Sequence, residues 1–381
     1  MTSANDGRGV NLIGFIRSET GIGQSCRLAA NALETAGIPF CILPYEFGDP
    51  SRNAETGWMH KTSAVPLYQV NLFHANADQM PDVIRHFGLQ LFAGRYNIGY
   101  WHWELPEFPD RWRGSFDLLQ EVWAPSQFIV RAVAAKSPVP VMRIPHGIAM
   151  SPPGLSGTDA SRTGGCDCRR LTEDRFTFLS MYSVYSFQER KNPYGAIDAF
   201  RLAFRRDHNK AALVVKINHA ADHPEEVERL QAYVRNDPNI RLLKDTMTLA
   251  EVHALLRQAD CVVSLHRSEG FGFVLAEAMA EGIPVIATHW SGNTDFMNER
   301  NSCPVQYKLV PVGTRLGPYE AYQTWAEPSA EHAAHYMERL FYDDAYRMEI
   351  GRAARQTIRD AFSPEASGEA MKGRLQSLGL L

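Results

Sequence analysis

Two acids and two cations stand where they could handle a phosphate ester. The segment RSEGFGFVLAEAMAEGIPVIAT (267–288) puts Glu269, Gly270, Phe271 and Gly272 in a loop after an apolar run, and Phe273, Val274, Leu275 and Glu277 in the helix that follows. Two glycines at a helix start let a bulky anion approach the backbone, and the helix N-terminus offers unpaired N–H groups and partial positive charge. Glu277 falls about a turn and a half inside that helix, within reach of a ribose beside a phosphate held at its end. Glu269 lies outside the helix, on the far side of that phosphate. With seven residues between them, the two acids would bracket a nucleotide-diphosphate-sugar. The plainer alternative is a solvent-facing acid at a helix start and an ordinary glutamate in its middle.

Arg190 and Lys191, in SVYSFQERKNPYGAIDAF (183–200), follow the apolar run RFTFLSMY. Such a pair can neutralise a diphosphate leaving group, Lys as a point charge and Arg as a fork, although loop cations are commonly only solvated. Gly21, Ile22 and Gly23 open a helix straight after VNLIGFI (10–16). A dinucleotide fingerprint wants Gly or Ala where Cys26 stands, yet Glu46 lies about twenty residues on, which keeps an NAD(P)-dependent oxidoreductase open. His102 sits between Trp101 and Trp103 in GYWHWELPEFPDRW (99–112). Aromatic faces suit the C–H faces of sugars, and a His at a strand end can bond a hydroxyl or move a proton; a satisfied core histidine is the alternative. His146 in IPHGI is expected to belong to the turn that leaves the first half.

Positioning these groups falls to short apolar runs at 10–16, 39–44, 67–73, 96–101, 121–125 and 140–145, then at 175–182, 212–217, 239–243, 260–265 and 283–288. Helix-length segments separate many of them, at 22–36, 125–136, 192–206, 223–235, 248–258 and 272–281, which predicts parallel sheets buried on both faces. The stretch 151–165 is dense in Pro, Gly, Ser and Thr and reads as part of a linker. At roughly 150 residues per domain, two domains are expected. They run over 1–150 with 365–381 and over 173–364, with the linker at 151–172.

Composition narrows the partners. The chain has 381 residues, 45% hydrophobic and 22% charged, with Lys plus Arg at 39 against Asp plus Glu at 43, a net charge of −4. These are globular values, without the basic excess of a nucleic-acid binder. A polar N-terminus and the lack of any run of about 18 apolar residues predict a cytoplasmic protein with no spanning helix. Arg85, Arg95, Arg111 and Arg113 could still meet an anionic membrane peripherally at its inner face. The six cysteines are too sparse for a disulfide framework, and Cys166 and Cys168 lack a second pair at zinc spacing, so no metal site is expected.

Taken together, these segments resemble glycosyltransferase family 4 (glycosyl transferases group 1) over nearly the whole chain. Glu269 and Glu277 match the two acids of the family's Glu-x7-Glu motif, and ERKNP is similar to its phosphate-binding loop, carried here by Lys191 with Arg190 before it. A further cation found upstream in many members is replaced by Val184-Tyr185-Ser186. Gly21-Ile22-Gly23 resembles the loop facing the transferred sugar, and His102 the histidine near that sugar's primary hydroxyl. The resemblance implies the α/β GT-B fold, two Rossmann-like, doubly wound parallel-sheet domains facing across a cleft. It also implies retaining transfer of a sugar from a UDP- or GDP-linked donor to a saccharide or lipid-linked acceptor, in polysaccharide or glycolipid biosynthesis, with no metal or other cofactor. Base contacts are expected near Leu242–Thr246 and His219, and acceptor contacts from loops at 46–64 and 74–95. A non-catalytic sugar-nucleotide-binding protein is the remaining alternative.

Overall fold

Near-continuous apolar runs become strands because both faces of each sheet are covered. The computed structural model describes residues 7–47, 53–149, 175–205 and 208–381. The expected linker at 151–172, with Cys166 and Cys168, lies outside them. The chain divides into two units, Met1–Ala149 with Asp360–Leu381, and Met150–Arg359.

Unit 1 holds strands β1 (Val10–Gly14), β2 (Phe40–Pro44), β3 (Val70–His74), β4 (Tyr96–Tyr100), β5 (Glu121–Ala124) and β6 (Val141–Arg143), with helices α1 (Gly21–Thr35), α2 (Met80–Phe87) and α3 (Gln127–Ala134). Its six-stranded sheet has the order β2-β1-β3-β4-β5-β6, with every pairing parallel. Register places Asn11 beside Asn71 and Asn71 beside Asn97. Their buried amides form a ladder, Asn11 Nδ2 donating to Asn71 Oδ1 at 2.9 Å and Asn71 Nδ2 to Asn97 Oδ1 at 2.8 Å.

Unit 2 holds β7 (Phe176–Ser183), β8 (Ala211–Asn218), β9 (Ile240–Leu243), β10 (Cys261–Ser264), β11 (Val285–Thr288) and β12 (Cys303–Val305) in the order β12-β11-β10-β7-β8-β9, again parallel. Around them run α4 (Gln188–Lys191), α5 (Pro193–Ala203), α6 (Pro224–Val234), α7 (Leu249–Leu256), α8 (Phe273–Glu281) and α9 (Ala330–Tyr342). In each sheet the chain lays strands to one side of its first strand and then returns to the other side. That reversal falls between β1 and β3 and between β7 and β10, where open α/β sheets form ligand sites outside the carboxyl ends of their strands.

Three features depart from the sequence expectation, the first being edge strand β12, which forms beyond the last expected run at 283–288. An antiparallel hairpin, β13 (Tyr307–Pro311) and β14 (Thr324–Pro328), stands where no strand is expected. Tyr307, Lys308 and Leu309 are exposed, so the first of its strands carries no apolar alternation. The return to unit 1 begins at Asp360 rather than at 365, inside α10 (Asp344–Ala361), and continues into α11 (Pro364–Ser377). Helix α11 lies against α1 so closely that a Cβ on Gly368 would meet Ala32 O at 2.4 Å. Arg374 of α11 reaches fully buried Glu121 on β5, with Nη2 to Oε2 at 2.6 Å. Among the described residues no helix is long and apolar enough to cross a membrane.

Candidate active site

Strands β7 and β10 pair directly, Cys261 opposite Phe178, so the loops that leave them emerge side by side. After β7 the chain makes the single turn α4 and then bends at Asn192, whose φ of 50° is left-handed. Pro193 follows at the first position of α5, where a missing N–H costs nothing. Asn192 Oδ1 accepts the Gly195 N–H at 3.2 Å, while Nδ2 donates to Leu265 O in the other loop at 2.9 Å. Arg267 adds two stitches, its backbone N–H to Arg190 O at 2.7 Å and Nη1 to Glu189 O at 2.6 Å. Its Nε pairs with Glu327 Oε2 at 2.5 Å.

This stitching gathers Lys191, Arg190 and Glu269. Lys191 Nζ is in direct contact with Glu269 Oε1, and Arg190 Nη1 lies 3.4 Å from Oε2. Burial by itself would raise the Glu269 carboxyl, but Lys191 and then Arg190 outweigh it and carry it down to about 2. The Glu269 backbone N–H donates to Ser291 Oγ at 2.8 Å. The two cations are not equivalent. The Arg190 side chain is 5% exposed and also donates to Ser268 O at 2.8 Å, whereas that of Lys191 is 19% exposed. Lys191 is therefore the more accessible of the two cations, and Arg190 the more deeply enclosed.

At the start of α8, Gly272 has a φ of 98°, a backbone shape that costs a side chain energy. Leu275 and Ala276 both donate their N–H to Gly272 O at 3.1 Å. Glu277, on the same helix, has Oε1 3.9 Å from His253 Nε2, beyond hydrogen-bonding distance. At the carboxyl end of β8, buried Lys216 donates to Asn218 Oδ1 at 2.9 Å, Asp245 O at 2.7 Å and Ile217 O at 3.2 Å. It thereby fastens the segment Leu242–Thr246 in place, and burial brings its ammonium down to about 8. An open depression along α6 and β9, lined by Arg175, Arg235, Asp237 and Lys244 among others, includes Leu242 and Lys244 of the expected base-contact segment but none of the candidate glycines, acids or the Arg190–Lys191 pair.

In unit 1 the loop after β1 needs one of its glycines for packing. A Cβ on Gly23 would meet Ser18 O at 2.2 Å and Phe15 O at 2.9 Å, while a Cβ on Gly21 meets nothing within 4 Å. Gly23→Ala is expected to cost about 1–3 kcal/mol of stability and Gly21→Ala less than about 1, read from urea midpoints. Equal losses would disprove this assignment of the two glycines.

His102 follows β4, with its backbone N–H donating to Asn76 Oδ1 at 2.9 Å. Its ring stacks on that of His146 at 5.3 Å, with the two Nε2 atoms 3.1 Å apart. His146 is thus a partner of His102, not merely part of the departing turn. Burial holds His102 down to about 4 and His146 well below its ordinary value, so both rings are neutral at physiological pH. Asn76, His146, Asn192, Arg267 and Ser291 are the contributors that sequence reasoning did not single out as site residues. Only the Asn192-Pro193 dipeptide carried a local signal, that of a turn opening a helix. Among the described residues, no three or more His, Cys, Asp or Glu side chains are grouped so as to hold a metal ion.

Residues 174–305 match the family model described as glycosyl transferases group 1. Over 187 residues the chain is 26% identical to the trehalose synthase of Rubrobacter xylanophilus, a match covering 48% of this chain and only 39% of that protein. Among solved structures, a glycosyltransferase from Rickettsia africae superposes with a TM-score of 0.67 at 13% identity, over 97% of this chain and 98% of that one. HepE from Anabaena, crystallised with UDP and glucose, gives 0.67 at 14% identity, over 97% and 100% of the two chains. Sucrose-phosphate synthase from Thermosynechococcus elongatus gives 0.67 at 14% identity, over 97% and 99%. The two parallel six-stranded sheets are those of the GT-B fold.

Proposed function

We propose that this chain, whose residues 174–305 match the glycosyl transferases group 1 model, moves a sugar from a UDP- or GDP-linked donor to a saccharide or lipid-linked acceptor with retained anomeric configuration. The observation that carries this reading is the Lys191–Glu269 contact at the strand-order reversal of unit 2. Breaking the anomeric C–O bond puts negative charge on the diphosphate and positive charge on the sugar ring. The Lys191 ammonium would leave Glu269 for the diphosphate, helped by the N-terminus of α8. Glu269, released, would orient the sugar hydroxyls, and Glu277 would bond the ribose. The leaving phosphate would take the acceptor's proton on the same face, so no side-chain nucleophile is needed. In unit 1 the Gly21–Gly23 loop and His102 would serve the transferred sugar. The structure of HepE with UDP and glucose supports the uridine arm of the donor pair.

Charge neutralisation by Lys191 and a helix end leaves no task for a divalent metal, and a chelator is expected to leave the rate unchanged. The deciding experiment measures nucleoside-diphosphate release over UDP- and GDP-sugars, with and without saccharide acceptors, and reads product configuration by NMR. Release with none of them, together with nicotinamide binding, would replace this reading with an oxidoreductase. Tight donor binding without release would leave a non-catalytic binder. Glu277→Ala is expected to raise the donor KM about tenfold with little change in kcat, as loss of one charged hydrogen bond does when it serves ground and transition states alike. A fall in kcat at unchanged KM would move Glu277 to the reacting centre.

A further inference from the structure

The loop that carries Glu269 is gripped along its length by the segment that follows β11. Thr288 Oγ1 donates to His266 O at 2.6 Å. Asn293 Nδ2 donates to Thr288 O at 2.9 Å, which orients the amide so that its Oδ1 faces His266 Nε2 at 3.2 Å. Between these two contacts, both backbone polar groups of Glu269 are taken up. Its N–H donates to Ser291 Oγ at 2.8 Å, and its carbonyl accepts the Gly292 N–H, also at 2.8 Å. The Ser291 hydroxyl gives its own proton to Trp290 O, so its oxygen is left to accept. The two segments lie so close that a Cβ on Gly292 would stand 1.9 Å from Gly270 O.

Ser291 makes its contact from an unfavourable backbone shape. Its φ is 77° and its ψ −145°, beside the region of positive φ and extended ψ that essentially only glycine occupies. A side chain stays there only where its surroundings over-determine it. The chain thus puts its glycine at 292, where space is short, and a serine at 291, where the backbone favours glycine. What the serine brings is an oxygen. Ser291 is buried, so bulk water does not replace that oxygen as acceptor for the Glu269 N–H.

We propose that Ser291 is a strained positioning residue for sugar transfer. Its hydroxyl, with the Gly292 N–H, fixes the main chain of Glu269, so that the carboxylate keeps its place when Lys191 leaves it for the diphosphate. The Lys191–Glu269 contact cannot do this, because it is broken at the moment the acid is needed. The catalytic part rests on the proposed roles of Lys191 and Glu269; the clasp and its strain follow from unit 2 alone.

Ser291→Ala and Ser291→Gly separate the oxygen from the strain, since both lack the hydroxyl and only Ala keeps the unfavourable backbone shape. In urea unfolding of the full chain, the Gly variant is expected to have the higher midpoint, the reverse of the usual order of these two residues. Ala at or above Gly would overturn the strain. Hydrogen exchange at the Glu269 amide, read by NMR on the full chain, is expected to be about tenfold faster in both variants than in the wild type. Unchanged protection would overturn the clasp. In nucleoside-diphosphate release, both variants are expected to lose about tenfold in kcat while the donor KM stays within about threefold. A merely structural role would make turnover follow stability, so that Gly recovers what Ala loses. Wild-type kcat in the Gly variant, or a loss confined to KM, would overturn the positioning role. A wild type that releases no nucleoside diphosphate would sink the transferase reading and the positioning role with it, while exchange and unfolding still judge the clasp.

Discussion

Lys191→Ala is expected to lower kcat by about 10²–10³, the usual cost of removing one preorganised charge from a developing anion. The effect should fall on turnover because the ammonium already has a partner in the resting protein. Glu269 holds it, so binding the donor only exchanges one anion for another, and the net gain appears when charge grows on the diphosphate. Stability should fall much less than turnover, since Arg190 still faces the Glu269 carboxylate. Lys191→Arg is expected to restore little, because a planar fork does not reproduce a compact point charge on that stem. Single-turnover release of nucleoside diphosphate is the measurement. A raised KM with unchanged kcat would assign Lys191 to ground-state binding alone.

Glu269→Ala is expected to cost unit 2 about 3–5 kcal/mol, the penalty for stranding a buried charge. Arg190 would keep Ser268 O as a neutral acceptor but lose its counter-ion in a site where its side chain is 5% exposed. The same group gives an acid dependence of known sign. Its folded carboxyl is depressed from 4.5 to about 2, so its contribution is fully present above 4.5 and fades as pH falls toward 2. Glu269→Gln keeps the shape without the titration. The stability difference between wild type and this variant should therefore shrink across that window in calorimetry. A gap that stays constant with pH would show that the carboxylate is not held by its cations.

Much of this arrangement was legible in the sequence because it is local. The run VNLIGFI places β1 and ALVVKI places β8, since strands covered on both faces read as unbroken apolar runs. The glycine loops and Glu-x7-Glu spacing are likewise contained in single segments. What could not be read was adjacency across the sheet. Lys191 and Glu269 are 78 residues apart, and their contact exists because β10 returns beside β7. His102 and His146 are 44 apart and meet only once β4, β5 and β6 are in register. Arg190 and Lys191 are neighbours that look interchangeable in sequence. Their one-turn helix turns the first inward and leaves the second more open. The hairpin at β13 and β14 was hidden for the opposite reason, an exposed strand with no periodicity to notice.

The asparagine ladder bears on how such a sheet reaches only one alignment. Apolar strands slide past one another with little to tell neighbouring alignments apart, whereas Asn11, Asn71 and Asn97 fit together in a single setting. A one-residue offset would strand these amides in a dry interior, at roughly 1–3 kcal/mol for each group left unmatched. They act as vernier marks ruled across β1, β3 and β4. Asn71→Leu would erase the middle mark, and the glycine turn, His74 and His102, which ride on those three strands, would lose their common zero.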